Sequence, residues 1–408
     1  MSRIDELIAR LCPDGAPRRT LGEIGQFQRG RRFTKADVVE DGIPSIHYGE
    51  IYTHYGVAAA ETVSHVRADL ATQLRFASPG DVVIAGVGET VEDVGKAVAW
   101  LGAADAAIHD DCFRYHHSMD PKYVSYYLQT EAFHSQKRRH VARAKVKRLS
   151  AEALASIVIP VPPLEVQREI VRVLDTFAAL EAELEAELAA RRRQYAHYRD
   201  SLLTFPEGGV RRVPMGEVAS IVRGASPRPI QAFLAHDERG VPWIKIGDIA
   251  ASGKYITGTA ERVTADGASK SRRVHPGDFV LSNSMSFGRP YIVGIEGCIH
   301  DGWLAISDFN ASFVPDFLYH LLRSAPVQAE FARRAGGGTV QNLNADIVKA
   351  VVLPIPHLEE QARIVAILDA FDALVNDLSS GLPAELAARR KQYEYYRDRL
   401  LTFKEAAA

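Results

Sequence analysis

The stretch 159–205 reads IPVPPLEVQREIVRVLDTFAALEAELEAELAARRRQYAHYRDSLLTF, and it decides the fold because the chain carries a close copy of it. The copy spans residues 353–403 and reads LPIPHLEEQARIVAILDAFDALVNDLSSGLPAELAARRKQYEYYRDRLLTF. In both stretches apolar side chains recur mostly at steps of three or four, which predicts an apolar stripe along a long helix. The stripe of the first stretch consists of Leu164, Ile170, Leu174, Phe177, Leu180, Leu184, Leu188, Tyr195, Tyr198, Leu202 and Phe205.

A stripe of this length needs a partner helix, and the second copy can supply it. Residues 164–205 as one helix would be about 60 Å long, at roughly 1.5 Å per residue. Because globular segments and helical stretches alternate along the chain, we predict that the two stretches pair as an antiparallel coiled coil. Gly381 and Pro383 predict a break in the second stretch. The first stretch contains the unit Glu-Ala-Glu-Leu twice, at 181–184 and 185–188.

The rest of the chain is duplicated as well. The segments LGEI, PGD and IHD at 21–24, 79–81 and 108–110 return as MGEV, PGD and IHD at 215–218, 276–278 and 299–301. The chain is therefore two diverged halves, each a globular segment followed by a helical stretch. Alternating apolar residues and Pro-Gly turns predict strands at 43–51, 81–84, 241–249 and 278–281, and helices at 122–129 and 316–323.

Composition narrows the class of protein without naming a ligand. The 408 residues are 47% hydrophobic and 25% charged, with a net charge of -2, as in an ordinary globular protein. No apolar run is long enough to span a bilayer, and the N-terminal residues do not resemble a signal peptide. Three cysteines without a CxxC pair argue against a disulfide framework or a zinc site, and favour the reducing cytoplasm.

The helical stretches resemble the conserved regions of type I restriction-modification specificity subunits. One motif is P-x-P-x-L-E-x-Q-x-x-I-V-x-x-L-D, at 160–175 and 354–369. The other is A-E-L-A-A-R-[RK]-[RK]-Q-Y-x-x-Y-R-D-x-L-L-T-F, at 186–205 and 384–403. The second copy departs from the first at His357, where the first has a proline. The short repeat at 181–188 resembles the repeats of one subgroup of the family, in which they set the length of the spacer between the two halves of the DNA site.

The resemblance implies an α+β fold with two homologous, mixed α/β target-recognition domains and two long helices in an antiparallel coiled coil, related as a pseudo-twofold internal repeat. We expect four regions. They are an N-terminal helix and first recognition domain at 1–158, a central helical region at 159–207, a second recognition domain at 208–352 and a C-terminal helical region at 353–408.

The resemblance also implies a function and a set of partners. Each recognition domain would read one half of an asymmetric bipartite site in double-stranded DNA, with the spacer set by the coiled coil. The helices would dock two methyltransferase subunits that methylate adenine at N6, and two restriction subunits would join for ATP-dependent cleavage. This chain would have no active site and bind no cofactor, whereas its partner subunits would use S-adenosylmethionine, ATP and Mg.

Basic loops are the candidate DNA contacts, since phosphates attract Lys and Arg, and Arg, Asn and Gln can pair with base edges. A solvated surface remains the alternative at each position. The run 137–148 (KRRHVARAKVKR) has seven basic residues and no acid. The candidates are Arg29, Arg31, Arg32, Lys35, Lys137, Arg138, Arg139, Arg143, Lys145, Lys147, Arg148, Arg223, Arg228, Lys270, Arg272, Arg273, Asn283, Arg289, Gln341 and Asn342.

The Tyr and Arg side chains of the second motif have two interpretations, because such residues serve both as helix core and as interface anchors. For those on the stripe we favour the core. The candidates for contact with a partner subunit are Tyr195, Tyr198, Arg199, Tyr393, Tyr396 and Arg397.

Other chemistry has little support in the sequence. A metal site could be suggested by His109, Asp110, Asp111 and Cys112, with His116 and His117. The second half keeps only the His-Asp pair, which favours turn and capping chemistry. No Walker A motif, methyltransferase catalytic loop or convincing nuclease carboxylate cluster is present. Two further hypotheses stay open: a coiled-coil adaptor that binds other proteins, and an orphan DNA-binding regulator.

Overall fold

The protein forms two compact units. The computed structural model describes residues 3–141, 146–249, 253–284, 287–336, 342–377 and 380–404. The first unit consists of Met1–Glu183 with Ala387–Ala408, and the second of Leu184–Leu386. Each unit thus joins one globular segment to parts of both helical stretches, and the domain limits at 158, 207 and 352 remain a prediction.

The first unit contains two five-stranded sheets. In hydrogen-bonded order, one sheet is Gly25–Arg29, Cys112–His117, Val82–Ala85, Ala97–Trp100 and Ala58–Ala59. The other is Val38–Val39, Ser64–Val66, Ile43–Ile46, Ala106–Ile108 and Phe76–Ala77. Two short ribbons complete the unit, Arg18–Thr20 with Val158–Pro160 and Val87–Gly88 with Lys147–Arg148.

The second unit repeats both sheets in the same order. One sheet is Ser220–Arg223, Trp303–Ser307, Phe279–Ser282, Pro290–Val293 and Tyr255–Ile256. The other is Leu234–Ala235, Glu261–Val263, Val241–Ile244, Gly297–Ile299 and Arg272–Val274. Arg211–Pro214 pairs with Val352–Ile355 as the matching ribbon. The predicted duplication of the globular segments is therefore confirmed in both five-stranded sheets and in the ribbon that joins the two ends of each segment.

Helices cover the sheets and lead into the ribbons. The α-helices of the first globular segment are Arg3–Leu11, Leu21–Ile24, Tyr48–Thr53, Pro121–Tyr127, Glu131–Lys137 and Ala151–Ala155. Those of the second are Ala265–Ser269, Pro315–Leu322, Ala325–Ala335 and Ala345–Lys349. Short 3-10 helices lie at Lys35–Asp37, Ala68–Gln73, Met215–Glu217, Ile230–Phe233 and Ile246–Asp248.

Local chemistry explains which strand predictions hold. After Gly80 and Gly277, which have φ of 96° and 95°, the strands Val82–Ala85 and Phe279–Ser282 are buried throughout. The strand predicted at 43–51 is wrong beyond Ile46, because residues 48–53 form a helix. His47 starts that helix, since its Nδ1 accepts from the Gly49 amide and Glu50 Oε2 accepts from the His47 amide. The strand predicted at 241–249 likewise ends at Ile244.

Three long helices form the helical stretches. They are the central helix Leu164–Leu202, the first C-terminal helix Leu358–Asn376 and the second C-terminal helix Leu382–Leu400. The break predicted at Gly381 and Pro383 is confirmed. The Gly381 carbonyl accepts from the amides of Ala384 and Glu385, and so begins the second C-terminal helix. No helix within the described ranges is long and apolar enough to cross a membrane.

Within each unit the paired helices run antiparallel. In the first unit Phe177 stacks on Tyr396 at 5.5 Å, and Glu181 pairs with Arg390 at 2.7 Å, so numbers rise along one helix as they fall along the other.

The second unit has the same arrangement. Tyr198 lies 5.6 Å from Phe371, and Arg192 donates to the Val375 carbonyl. The predicted stripe is only partly buried in these pairs, because a straight helix of 3.6 residues per turn drifts relative to the heptad spacing. Leu164, Leu180 and Tyr198 of the first stretch are exposed, as is Leu374 of the second.

Candidate nucleic-acid interface

A glycine fixes the start of the first basic loop in each unit. A Cβ at Gly30 would lie 2.2 Å from the His109 carbonyl oxygen, and one at Gly224 would lie 2.0 Å from the His300 carbonyl oxygen. Gly30 donates to the Cys112 carbonyl, and Gly224 donates to the Trp303 carbonyl. The loops that carry Arg29 to Lys35 and Arg223 to Arg228 are thereby held against a turn of the neighbouring chain.

We call that turn the His–Asp turn; it comprises His109, Asp110 and Asp111 in the first unit and His300 and Asp301 in the second. Nδ1 of His109 accepts from the Asp111 amide at 3.2 Å, and Nδ1 of His300 accepts from the Gly302 amide at 2.8 Å. Burial lowers the pKa of His300, which favours the neutral ring that this bond requires. Turn and capping chemistry therefore accounts for both histidines.

In the first unit two arginines converge on the His–Asp turn. Arg29 donates its Nε to the Asp110 carbonyl oxygen, and its Nη2 lies 3.9 Å from the Asp110 carboxylate and 3.8 Å from that of Asp111. Arg148 comes from the ribbon strand Lys147–Arg148, and its Nη1 lies 3.8 Å from the Asp111 carboxylate. Both side chains are more than half exposed, at 53% and 61%.

In the second unit one carboxylate organises the corresponding loop. Arg223 donates its Nε to the Asp301 carbonyl oxygen at 3.0 Å, which repeats the bond made by Arg29. Asp301 accepts from Ser226 Oγ at 2.7 Å and from Arg228 Nη2 at 3.1 Å. The hydrogen bond from Ser226, with the charge of Arg228, lowers the pKa of Asp301 and keeps it ionised.

Arg75 belongs to this arrangement, and sequence analysis missed it. Its Nη1 donates to the Arg29 carbonyl oxygen at 2.6 Å, and Arg272 Nε approaches the Arg223 carbonyl oxygen at 3.5 Å in the second unit. The duplication held the signal that could have found it. Arg75 precedes the first Pro-Gly-Asp segment by the same number of residues as Arg272 precedes the second.

Clefts open beside both turns. In the first unit a cleft of about 670 Å³ and another of about 570 Å³ both include Arg29, Asp110, Asp111 and Arg148 in their walls. The larger one also includes the predicted residues Arg32 and Lys35. A cleft of about 370 Å³ in the second unit is lined by Arg228, Lys245, His300 and Asp301 among others. The structure thus brings part of the predicted set together around one turn in each unit.

The basic run 137–148 is less uniform than its sequence suggests. Lys137 is only 1% exposed, and its ammonium donates to the carbonyls of Glu92 and Val94, so burial removes it from the candidate DNA contacts. Burial also lowers the pKa of Lys137 to about 8. Arg138 pairs with Glu131, whereas Arg139 is exposed. Arg143 and Lys145 lie outside the described residues.

Several candidates in the second unit have acidic partners. Lys270 pairs with Asp266 at 3.0 Å, and Arg273 pairs with Glu296 at 3.1 Å. Asn283 is 3% exposed and donates to the Asp301 carbonyl oxygen, so it supports the turn and is not a surface contact as predicted.

The remaining candidates occupy varied positions. Arg289 lies over the Tyr291 ring at 5.3 Å. Arg31 and Asn342 are exposed. Gln341 lies outside the described residues.

The predicted partner contacts of the helices divide into internal and exposed residues. Tyr195 is 4% exposed and bonds His320 Nδ1 within the second unit, so its burial excludes it as a partner contact. Arg199 and Arg397 lie over the rings of Tyr195 and Tyr393, at 5.8 and 5.7 Å, and their side chains are only 12% and 14% exposed. Tyr198 is 43% exposed.

The aspartates of the two helical motifs anchor the helices to the globular segments. Asp175 accepts from Lys122 Nζ and the Tyr126 hydroxyl, and Asp369 accepts from His320 Nε2 at 2.7 Å. One further bond occurs in each unit. Asp398 accepts from the Glu131 amide in the first unit, and Asp200 accepts from the Ala325 amide in the second. Much of the repeated motif is therefore explained by folding within each unit.

The turn in the first unit has donors that could hold a cation, since ligand atoms of His109, Asp110 and Asp111 lie within 4.8 Å of one another. Nη2 of Arg29 and Nη1 of Arg148 both lie within 4 Å of its carboxylates. Two guanidinium groups at this distance oppose the binding of a metal cation.

These features define a duplicated, two-unit protein with a basic cleft beside the same turn in each unit. A family model described as type I restriction modification DNA specificity domain matches residues 13–190 and again 208–388. The specificity subunit of the type I restriction enzyme EcoR124I/EcoR124II from Escherichia coli is 33% identical over 298 residues, which cover 69% of this chain and 70% of that protein.

Solved structures agree on the fold. A chain from a study of complex assembly and conformational transition of the type I R-M system has a TM-score of 0.66 and 19% identity, and covers 96% of this chain and 98% of that one. The HsdS subunit from Thermoanaerobacter tengcongensis has a TM-score of 0.52 and 18% identity, with 96% and 97% covered. The chain belongs to the type I restriction-modification DNA specificity family.

Proposed function

We propose that this chain is the DNA sequence-recognition subunit of a type I restriction-modification complex, and that each globular segment reads one half of an asymmetric bipartite site. The observation that carries the proposal is the paired cleft. Beside each cleft an arginine, Arg29 or Arg223, donates its Nε to the His–Asp turn. The basic side chains that line the clefts differ between the units. A shared framework with different linings suits two different half-sites. The family membership and the similarity to the specificity subunit from Escherichia coli support the same function.

The helical stretches serve, in this proposal, as a spacer and as a dock for two methyltransferase subunits. Exposed apolar and aromatic side chains on the three long helices could form such contacts, and Tyr198 and Tyr396 remain candidates. The exposed set includes Leu180, Tyr198, Leu374 and Tyr395, at 47%, 43%, 40% and 60%. Two restriction subunits would complete the complex.

Catalysis would belong to the partner subunits. The methyltransferase subunits would transfer a methyl group from S-adenosylmethionine to adenine N6, and the restriction subunits would use ATP and Mg for cleavage. The proposed contribution of this chain is recognition alone, because binding in the grooves selects the sequence at which partners act.

The test reconstitutes methylation from purified components. This chain with its methyltransferase partner should methylate one asymmetric bipartite site, whereas this chain alone should neither bind S-adenosylmethionine nor methylate DNA. Replacing residues 208–352 with the corresponding domain of a relative should change one half-site and leave the other. Methylation by the isolated chain would exclude the proposal, as would DNA binding without the steep salt dependence that phosphate contacts produce.

A further inference from the structure

Arginines lie beside both His–Asp turns, and hydrogen bonds to the turns orient Arg29, Arg223 and Arg228. We propose that each His–Asp turn presents a pair of arginines that reads guanine, and that the aspartates of the turn position this pair. The pairs are Arg29 with Arg148 in the first unit and Arg223 with Arg228 in the second. This inference rests on the proposed function and identifies the residues that set sequence preference.

The hydrogen bonds of Arg29 and Arg223 leave one edge of each guanidinium group available to a base. Arg29 and Arg223 each donate Nε to an aspartate carbonyl oxygen, which fixes the plane and direction of the guanidinium group. The Nη2 atom of Arg29 lies 3.8 Å and 3.9 Å from two carboxylates, which is too far for a hydrogen bond. The Nη donors of Arg29 are therefore oriented but still able to form the bidentate pair with guanine O6 and N7.

The acidic neighbours favour base reading over phosphate binding. A phosphate contact needs only positive charge, and a carboxylate within 4 Å of the guanidinium group would repel the phosphate. Asp111 lies at that distance from both Arg29 and Arg148, and Asp301 bonds Arg228 at 3.1 Å. The aspartate carboxylates weaken attraction to the DNA backbone, whereas the hydrogen bonds that Asp110 and Asp301 accept restrict the arginine rotamers. Restricted rotamers benefit a directional contact.

The second arginine of each pair explains how one framework can read two sequences. Arg148 reaches its turn from a ribbon strand, where it pairs with Val87. Arg228 reaches its turn from the same loop as Arg223, five positions further along the chain. Because Arg29 and Arg223 occupy equivalent positions, we expect one equivalent guanine contact in each half-site. The second arginine, Arg148 or Arg228, approaches from a different element in each unit.

The experiment uses the full chain assembled with its methyltransferase partner and duplex libraries in which one half-site at a time is randomised. Methylated molecules are sequenced to obtain the base preference at every position. The variants are Arg29→Ala, Arg29→Lys and Asp111→Asn in the first unit, and Arg223→Lys and Asp301→Asn in the second. The matched controls are Arg239→Lys and Asp237→Asn, an exposed ion pair of the second unit.

We expect Arg29→Ala to reduce the preference for guanine at one position of one half-site by about 5- to 150-fold, the range for a bidentate pair. Asp111→Asn should lose a smaller part of that preference at the same half-site. Arg223→Lys and Asp301→Asn should act only on the other half-site. The lysine and asparagine variants preserve size, and melting curves verify that they fold.

The outcomes separate this inference from the proposed function. If the variants slow methylation equally on all sequences, the arginines contact phosphate and the inference is wrong, while the proposed function stands. If one variant changes both half-sites, positioning within each unit is also wrong. If the unaltered complex shows no sequence preference at all, the proposed function fails, and this inference fails with it.

Discussion

Whether a basic residue of this protein is buried or available to a ligand depends on tertiary contacts that composition does not reveal. The run 137–148 contains seven basic residues, and its sequence treats them alike. In the structure Lys137 points inward to two carbonyl oxygens, whereas Arg148 stands in a cleft wall. The sequence could not separate them, because the loop at 92–94 that encloses Lys137 is distant along the chain. The duplication is the sequence feature that bears on tertiary position, because it gives Arg75 and Arg272 equivalent places ahead of the two Pro-Gly-Asp segments.

A glycine substitution tests the close contact at the His–Asp turn. Gly30→Ala should destabilise the first unit by about 1–3 kcal/mol, the usual range for overpacking, because its Cβ would lie 2.2 Å from a backbone oxygen. Gly56→Ala is the control, since a Cβ there meets nothing within 4 Å. Denaturant unfolding measures both. Equal stability of the two variants would show that the loop can move away from the turn.

Lys137 gives a pH-dependent prediction. Burial lowers its pKa to about 8 in the folded chain from 10.5, so between these values the unfolded chain holds a proton that the folded chain has lost. Stability should therefore rise with pH across that window, and the full cost of burying the charge is present below it.

Lys137→Met removes this titration. The variant should be less stable overall, because two carbonyls lose their donor, but its stability should rise less between pH 8 and 10.5. Urea unfolding at several pH values measures the slope, and Lys35→Met, at an exposed site, should keep the original one. If the stability of Lys137→Met rose with pH as steeply as that of the unaltered chain, the lowered pKa of Lys137 would not be the cause of the rise.

At the scale of elements, the features that local sequence determines were predicted better than those that depend on tertiary contacts. Pro-Gly turns located the buried strands Val82–Ala85 and Phe279–Ser282 to within a residue, and the helix break at Gly381 was correct. The helix Tyr48–Thr53 was missed because its capping side chains, His47 and Glu50, are ordinary in sequence. The cleft was predictable only in part, since the support of Arg29 by Asp110 depends on a tertiary contact.

Tyr195 tests whether the repeated motif stabilises each unit. Tyr195→Phe removes the hydroxyl that bonds His320, a side chain with 0% exposure, and leaves a buried nitrogen without its partner. The expected loss is about 1–3 kcal/mol of unfolding free energy. Tyr198→Phe, at a residue that is 43% exposed, should change stability by less than about 0.5 kcal/mol. Similar losses in both variants would argue against an internal role specific to Tyr195.

At the scale of the whole molecule, the central helix should determine the number of unread base pairs. Residues 181–184 and 185–188 have the same sequence, so deleting 185–188 leaves the order of side chains unchanged on either side of the junction. Four residues span about 6 Å of helix and about 400° of rotation, so the apolar positions keep nearly the same face. This length corresponds to about two base-pair steps of 3.4 Å.

The deletion of 185–188 should therefore shorten the spacer in the methylated site by about two base pairs and leave both half-sites unchanged. Sequencing the methylated products of the reconstituted complex measures both properties at once. Deleting only 185–186 is the control, because two residues turn the following side chains by about 200°, to the opposite face, and should reduce methylation. An altered half-site with the original spacer would contradict the role of the central helix, because helix length acts on the distance between contacts and not on the bases read.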